Sequence, residues 1–159
     1  MDELPRLPGS YALHLLLPQA ARLRVGRLGW CDFAAGHYVY AGSALGPGGL
    51  RARLGRHLRG GSRLHWHIDT LRAVCQVSGY YFEPGSQPLE CTWSRRIAGL
   101  GCVSVPVPGF GASDCRSGCA AHLVYLGCDP GDFSLAGWLA APRDSVGLSG
   151  HPQAAAVLR

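Results

Sequence analysis

The longest apolar and tyrosine-rich segments of this chain are short and end abruptly. Gly9–Leu17 (GSYALHLLL) stops at Pro18, and residues 36–42 (GHYVYAG) are rich in tyrosine and valine and close on a glycine. Proline cannot continue a strand ladder, whereas aromatic and β-branched residues favour strands. We therefore predict that these two segments are strands of one sheet and that the fold is built from short elements.

The remaining pattern predicts an α+β fold with a small central antiparallel sheet flanked by helices and with extra C-terminal strands. The predicted hairpin consists of residues 22–25 and 28–31, the helices of residues 50–58, 63–74 and 87–100, and the other strands of residues 75–82, 103–107 and 122–126. One domain is expected over residues 6–127. Residues 128–159 are rich in Gly, Pro and Ala, which predicts a loosely packed or partly disordered tail.

The hydropathy of the chain argues against a membrane protein. No stretch approaches eighteen consecutive apolar residues, so no transmembrane helix is expected. The first residues, MDELP, lack the basic start and apolar run of a secretion signal, and a cytoplasmic location is the resulting expectation. In that compartment the seven cysteines would be thiols or metal ligands, not disulfides.

Arginine supplies the entire basic charge, because the chain contains fifteen arginines and no lysine, for a net charge of +5. No acidic residue occurs in residues 33–68, which hold a cluster of arginines and four histidines. Such a cluster is typical of a surface that binds phosphate groups. The arginines predicted to contact nucleic-acid phosphates are Arg51, Arg56, Arg59 and Arg63.

The predicted helix 50–58 separates its basic residues into two groups. Leucines recur every four residues and form a buried stripe. The stripe consists of Leu50, Leu54 and Leu58. At about 100° per residue, Arg53 and His57 lie beside this stripe, whereas Arg56 and Arg59 point nearly opposite, toward water.

Four motifs along the chain resemble those of the GIY-YIG nuclease superfamily. They are Gly9-Ser10-Tyr11, Tyr40-Ala41-Gly42-Ser43, Arg53-Leu54-Gly55-Arg56-His57 and Glu90. Residues 65–69 (HWHID), 90–91 (EC) and 109–115 (GFGASDC) extend the resemblance to one poorly characterised branch, a domain of unknown function. The resemblance covers roughly residues 8–127 and implies a GIY-YIG-like sheet.

The resemblance implies an endonuclease that uses a divalent metal ion to hydrolyse phosphodiester bonds. Glu90 would hold Mg²⁺ or Mn²⁺, and Arg53 would grip the phosphate and counter its developing charge. Tyr11 and Tyr40 would position the attacking water or take its proton. Tyrosine titrates near pH 10, so His57 is the energetically easier base if it reaches the water. Both alternatives remain open.

The implied substrate is a nucleic acid, with DNA favoured over RNA and shape favoured over sequence. Gly42 and Ser43 join the exposed arginines as expected nucleic-acid contacts. The alternative is a non-catalytic nucleic-acid-binding module, because each candidate also has a structural explanation. Tyr11 and Tyr40 would then pack in the core, and Glu90 would favour a helix N-terminus through its charge.

A second group of residues has the composition of a zinc site. Cys115, Cys119 and His122 follow a Cys-x3-Cys-x2-His pattern, and Cys91 is a candidate fourth ligand. This spacing is not diagnostic, since small buried cysteines are common in protein cores. A structural zinc ion is therefore an alternative to simple packing of these side chains.

Overall fold

The fold consists of six strands and four short helices within the residues that the computed structural model describes, 4–61 and 63–140. In chain order they are β1 (Gly9–Leu17), β2 (Ala21–Val25), β3 (Gly29–Phe33), β4 (Gly36–Ser43), α1 (Gly49–Arg59), α2 (His67–Arg72), β5 (Gln76–Pro84), α3 (Glu90–Ala98), β6 (Leu123–Gly127) and α4 (Leu135–Leu139). None of these helices is long and apolar enough to cross a bilayer.

The central sheet has four antiparallel strands in the order β5-β1-β4-β6. The two strands predicted from the longest segments, β1 and β4, are neighbours at its centre. Their register places Tyr11 opposite Gly42 and Tyr40 opposite Leu13. β2 and β3 form a separate hairpin around a 3-10 turn at Gly26–Leu28. The predicted α+β class with a central antiparallel sheet is confirmed.

Alternation along the strands divides the core between the two faces of the sheet. Odd-numbered residues of β1, such as Tyr11 and Leu13, pack in a cluster with Leu50 and Leu54 of α1 and with Phe110. The opposite face carries a second cluster. That cluster consists of Ala12, Val39, Ala41, Trp93, Ile97, Val124, Leu126, Leu135 and Leu139. The sheet is therefore covered by α1, α2 and the hairpin on one side and by α3 and α4 on the other.

Two predicted helices are shorter than their patterns indicated. α2 begins at His67 and not at residue 63, because the backbone N–H groups of His65 and Trp66 bond to the Asp69 carboxylate and hold the preceding chain extended. α3 begins at Glu90 and not at residue 87. The predicted strand 103–107 is wrong: only an isolated bridge joins Ser104 to Tyr125.

The prediction of a loose tail after residue 127 does not describe its first part. Residues 128–140 include α4, whose Leu135 and Leu139 are buried in the second cluster. The Ser134 hydroxyl caps this helix by accepting a hydrogen bond from the Gly137 N–H at 3.3 Å. Residues 141–159 lie outside the described part of the chain.

Packing of α4 against the sheet is testable by substitution. Leu139→Ala should lower the free energy of unfolding by about 2–5 kcal/mol, because it removes a fully buried leucine. Trp138→Ala is the matched control, since Trp138 is adjacent but exposed. Urea unfolding measures both variants, and equal effects would contradict the burial of α4.

Candidate functional site

Five of the predicted catalytic and nucleic-acid-binding residues line one cavity of about 590 Å³. Three of them are predicted catalytic residues: Tyr40 in β4, Arg53 in α1 and Glu90 at the start of α3. Gly42 and Ser43 line the same cavity. Elements on both sides of the sheet thus bring together residues that are up to 50 positions apart in the sequence.

Glu90 is the first residue of α3 and is half-buried. Its Oε2 atom is buried, and within the described residues it has no hydrogen-bond partner. A buried carboxylate oxygen without a partner is energetically costly. A cation in the cavity would satisfy it, so Glu90 has the property expected of a metal ligand.

Ser10 fixes the point at which Glu90 enters the cavity. Its side chain is fully buried in β1, and its hydroxyl accepts a hydrogen bond of 2.8 Å from the Leu89 N–H. This N–H belongs to the residue immediately before α3. A serine within a largely apolar strand was the sequence signal for this contact, but its partner, 79 residues away, could not be inferred.

Arg53 is held in place from two sides. Its Nη1 donates a 2.6 Å hydrogen bond to the Ser43 carbonyl, and its guanidinium carbon lies 4.1 Å from the centre of the Trp66 ring. Stacking on a ring face orients a guanidinium while leaving its other N–H groups available. Trp66 is therefore a half-exposed platform for Arg53 and not the core residue that its size would favour.

Tyr40 occupies the cavity wall because Gly111 leaves room for it. A Cβ at Gly111 would lie 2.8 Å from the Tyr40 ring, and the φ of +70° at this position also favours glycine. Burial raises the pKa of Tyr40 to about 12, which the nearby Arg53 only partly offsets. Tyr40 is therefore a protonated hydrogen-bond donor at neutral pH.

Tyr11 and His57 do not line this cavity, and His57 lines a second cavity instead. Both side chains are buried, and the Tyr11 hydroxyl is 3.0 Å from Nε2 of His57. Burial raises the pKa of Tyr11 well above 10 and lowers the pKa of His57 to about 4. Gly42 permits this arrangement, because a Cβ there would lie 2.7 Å from the Tyr11 hydroxyl.

Asp69 completes a chain of polar contacts that begins at Tyr11. Its Oδ1 lies 3.3 Å from Nδ1 of His57, and its Oδ2 accepts hydrogen bonds from Arg56 and from the N–H groups of His65 and Trp66. Burial acts to raise the pKa of Asp69, but these hydrogen bonds outweigh it and lower the pKa. Because Nδ1 of the neutral imidazole faces a carboxylate, we assign its proton there, and Tyr11 donates to Nε2.

The predicted arginine surface divides into separate groups. Arg56, Arg59 and Arg63 line a second cavity of about 650 Å³ together with Arg72. Arg56 does not point freely into water as predicted, because it pairs with the buried Asp69. Arg51, Arg59 and Arg63 are exposed. Their contacts with nucleic acid stay a prediction.

The cysteines and histidine of the candidate zinc group do converge. The ligand atoms of Cys91, Cys115, Cys119 and His122 all lie within 4.8 Å of one another, and this cluster can bind a metal ion. Burial lowers the pKa of His122, so its imidazole is neutral and can act as a ligand. Cys91, Cys115 and His122 also line the cavity that contains Glu90.

The chain belongs to the family described as "Domain of unknown function DUF123", whose model matches residues 10–134. The matched region begins in β1 and ends just before α4, so it includes every residue of both the Glu90 cavity and the cysteine cluster. Searches of the curated proteins and of the solved structures found no match.

The buried neutral state of His57 predicts acid destabilisation. The His57 pKa of about 4 lies below the unfolded value near 6.5, so the unfolded chain binds more protons between these values. The free energy of unfolding should therefore fall by about 3 kcal/mol as the pH decreases from 6.5 to 4. His14, whose pKa is also lowered by burial to about 4, adds to the same change.

The contribution of His57 is measured by urea unfolding across this pH range. His57→Gln should flatten the pH dependence relative to wild type, whereas His65→Gln, at an exposed site, should leave it unchanged. An unaltered slope in His57→Gln would show that His57 is not held neutral by burial.

Proposed function

We propose that this protein is a divalent-metal-dependent endonuclease that hydrolyses phosphodiester bonds of nucleic acid, as its resemblance to GIY-YIG nucleases implies. One observation carries the proposal. Glu90, whose buried Oε2 has no hydrogen-bond partner within residues 4–61 and 63–140, lines a cavity together with Arg53 and Tyr40. A carboxylate, a guanidinium and a phenol in one open cavity match the needs of phosphodiester hydrolysis.

The residues present fit a hard divalent cation. Glu90 would hold Mg²⁺ or Mn²⁺ through its carboxylate, since such ions prefer oxygen ligands and retain several waters. Asp114 lines the same cavity and is exposed, which makes it a candidate second carboxylate. When bound, the ion supplies charge neutralisation and a bound water of lowered pKa.

Arg53 would bind the scissile phosphate. The guanidinium is already oriented by the Ser43 carbonyl and the Trp66 ring, so little side-chain entropy remains to be lost on binding. No ion pair to Arg53 occurs within residues 4–61 and 63–140, and its positive charge is therefore available to the charge that develops on the phosphate.

Tyr40 would donate a hydrogen bond to the attacking water or to a phosphate oxygen. Its raised pKa argues against a resting phenolate, and this favours positioning over proton abstraction. Tyr11 and His57 are not in the cavity wall, so we assign them the role of positioning residues that hold β1 against α1. Neither is assigned a direct contact with the substrate.

The proposed partner is DNA in preference to RNA. Arg59 and Arg63 on the exposed side of the second cavity, with Arg51 on α1, would contact backbone phosphates. Such contacts give affinity without reading sequence. Gly42 and Ser43 border the Glu90 cavity, where the backbone of a bound strand would pass.

Glu90→Gln separates catalysis from binding. Metal-dependent cleavage of labelled duplex, single-stranded or branched DNA, or of RNA, should fall by at least about 100-fold, because the amide cannot supply an anionic ligand. Binding of the same substrates should change little. Glu83→Gln on β5 is the control variant and should cleave as wild type does.

Cleavage by Glu90→Gln at the wild-type rate would contradict the metal-binding role. Salt-sensitive binding by the wild type, with no cleavage of any substrate in Mg²⁺ or Mn²⁺, would contradict the enzyme and support the non-catalytic nucleic-acid-binding module. A chelator control and a test in both metals make these outcomes distinguishable.

A further inference from the structure

We propose that Cys91, Cys115, Cys119 and His122 form a closed structural zinc site. Their four ligand atoms converge to within 4.8 Å. Three thiolates and one imidazole are a ligand set that Zn²⁺ prefers over oxygen-seeking ions such as Mg²⁺. Four protein ligands complete a tetrahedron and leave no position for water or substrate, which is the property of a structural site.

The separations agree with a tetrahedral ion at the centre of the cluster. With Zn–S near 2.3 Å and Zn–N near 2.0–2.1 Å, the sulfur–sulfur edge is about 3.8 Å and the sulfur–nitrogen edge about 3.6 Å. The Sγ atoms of Cys91 and Cys115 are 3.6 Å apart, and Sγ of Cys91 is 3.5 Å from Nε2 of His122. Side-chain rotations that move a ligand atom by about 1 Å would bring even a pair 4.8 Å apart to the sulfur–sulfur edge length of a tetrahedral site.

The positions of the ligands along the chain show what the ion would hold together. Cys91 is in the first turn of α3, and His122 immediately precedes β6. Cys115 and Cys119 belong to the segment 99–122, which contains no helix or ladder strand. Such long irregular segments are uncommon in small domains unless something fixes them. The zinc ion would fasten this segment to α3 and to the sheet.

Other contacts hold further parts of this segment, including the bridge between Ser104 and Tyr125 and a hydrogen bond of 3.0 Å from the Gly111 N–H to His67. Phe110 is fully buried, and backbone hydrogen bonds of 2.6 Å and 2.8 Å tie Gly109 to Ala120 and His122 to Phe110. Ser117, between the two cysteines, accepts a hydrogen bond from the Arg95 side chain. Arg95 also places positive charge beside the cluster, which would offset the single net negative charge of three thiolates and Zn²⁺.

A disulfide accounts for the cluster less well. The separation of 3.6 Å between the Cys91 and Cys115 sulfurs is longer than a disulfide bond of about 2.05 Å. A Cys91–Cys115 disulfide would also not explain why the ligand atoms of Cys119 and His122 lie in the same cluster. Zinc uses all four ligands. The site does not depend on nuclease activity, although residues 113–117 also line the Glu90 cavity.

Metal analysis of reduced protein, expressed without added zinc, tests the proposal. We expect about one zinc per chain. Replacement by Co²⁺ should give thiolate-to-cobalt charge-transfer bands and the intense d–d absorption of a tetrahedral ion. Cys115→Ser and Cys119→Ser should each lose stoichiometric zinc, whereas the exposed Cys102→Ser should retain it. Chelation should lower the Tm of wild type and of Cys102→Ser.

Three results would overturn the zinc site. The first is wild-type protein without zinc that also fails to bind Co²⁺ under reducing conditions. The second is an intact Cys91–Cys115 disulfide detected by mass spectrometry. The third is equal loss of zinc from Cys102→Ser and Cys115→Ser. Because the wild-type measurements need no variant, misfolding of a substituted protein would not obscure the answer. They also need no substrate, so failure of the nuclease proposal would be seen separately.

Discussion

The buried carboxylate of Asp69 joins the two helices on the side of the sheet that carries the candidate site. It accepts hydrogen bonds from Arg56 of α1 and from the N–H groups of His65 and Trp66, and it faces the ring of His57. Burying a carboxylate is tolerated only when its oxygens are satisfied in this way. Through these contacts Asp69 sets where α2 begins, where Trp66 lies and which nitrogen of His57 faces Tyr11.

The contacts of Asp69 also affect the Glu90 cavity, because two of its partners contact other residues of the candidate site. Trp66 supports the Arg53 guanidinium, and His57 holds Tyr11 against the inner surface of β4. On the opposite side of the sheet, Ser10 sets the start of α3 and therefore the position of Glu90. Arg53 and Glu90 approach the same cavity from opposite faces of the sheet. Two consecutive residues of β1 support them: Ser10 bonds to the residue before α3, and Tyr11 contacts His57 of α1. The cavity thus depends on polar contacts made within an otherwise apolar sheet.

The parts of the fold that follow periodicity were predictable from the sequence. The bounds of β1 were predicted as observed, and Leu50 and Leu54 of α1 are buried as their spacing indicates. Residues 103–107 have strand-like composition but make only a single bridge, because pairing depends on a partner that composition does not reveal. In α4, two leucines were enough to bury a segment that glycine, proline and alanine had suggested was loose.

Sequence motifs identified residues that lie together in the candidate site. They did not reveal positions that depend on contacts between residues distant in the sequence. Tyr40, Arg53 and Glu90 share a cavity, and the cysteine cluster converges. The exclusion of Tyr11 and His57 from the wall of this cavity, and the pairing of Arg56 with Asp69, follow from tertiary packing. A helical pattern predicts the direction in which a side chain leaves its own helix. It does not predict that a charged residue of a neighbouring helix lies in that direction, as Asp69 of α2 does for Arg56.

Mn²⁺ binding is the most direct test of Glu90 as the metal ligand of this cavity. It is measured by electron paramagnetic resonance on wild type and Glu90→Gln, both with the cysteine cluster already loaded with zinc. We expect the wild type to bind Mn²⁺ and Glu90→Gln to bind it at least about tenfold more weakly, a loss of about 1.4 kcal/mol or more. Equal affinity in the two proteins, or no binding by either, would contradict the assignment of the buried Glu90 carboxylate as a metal ligand.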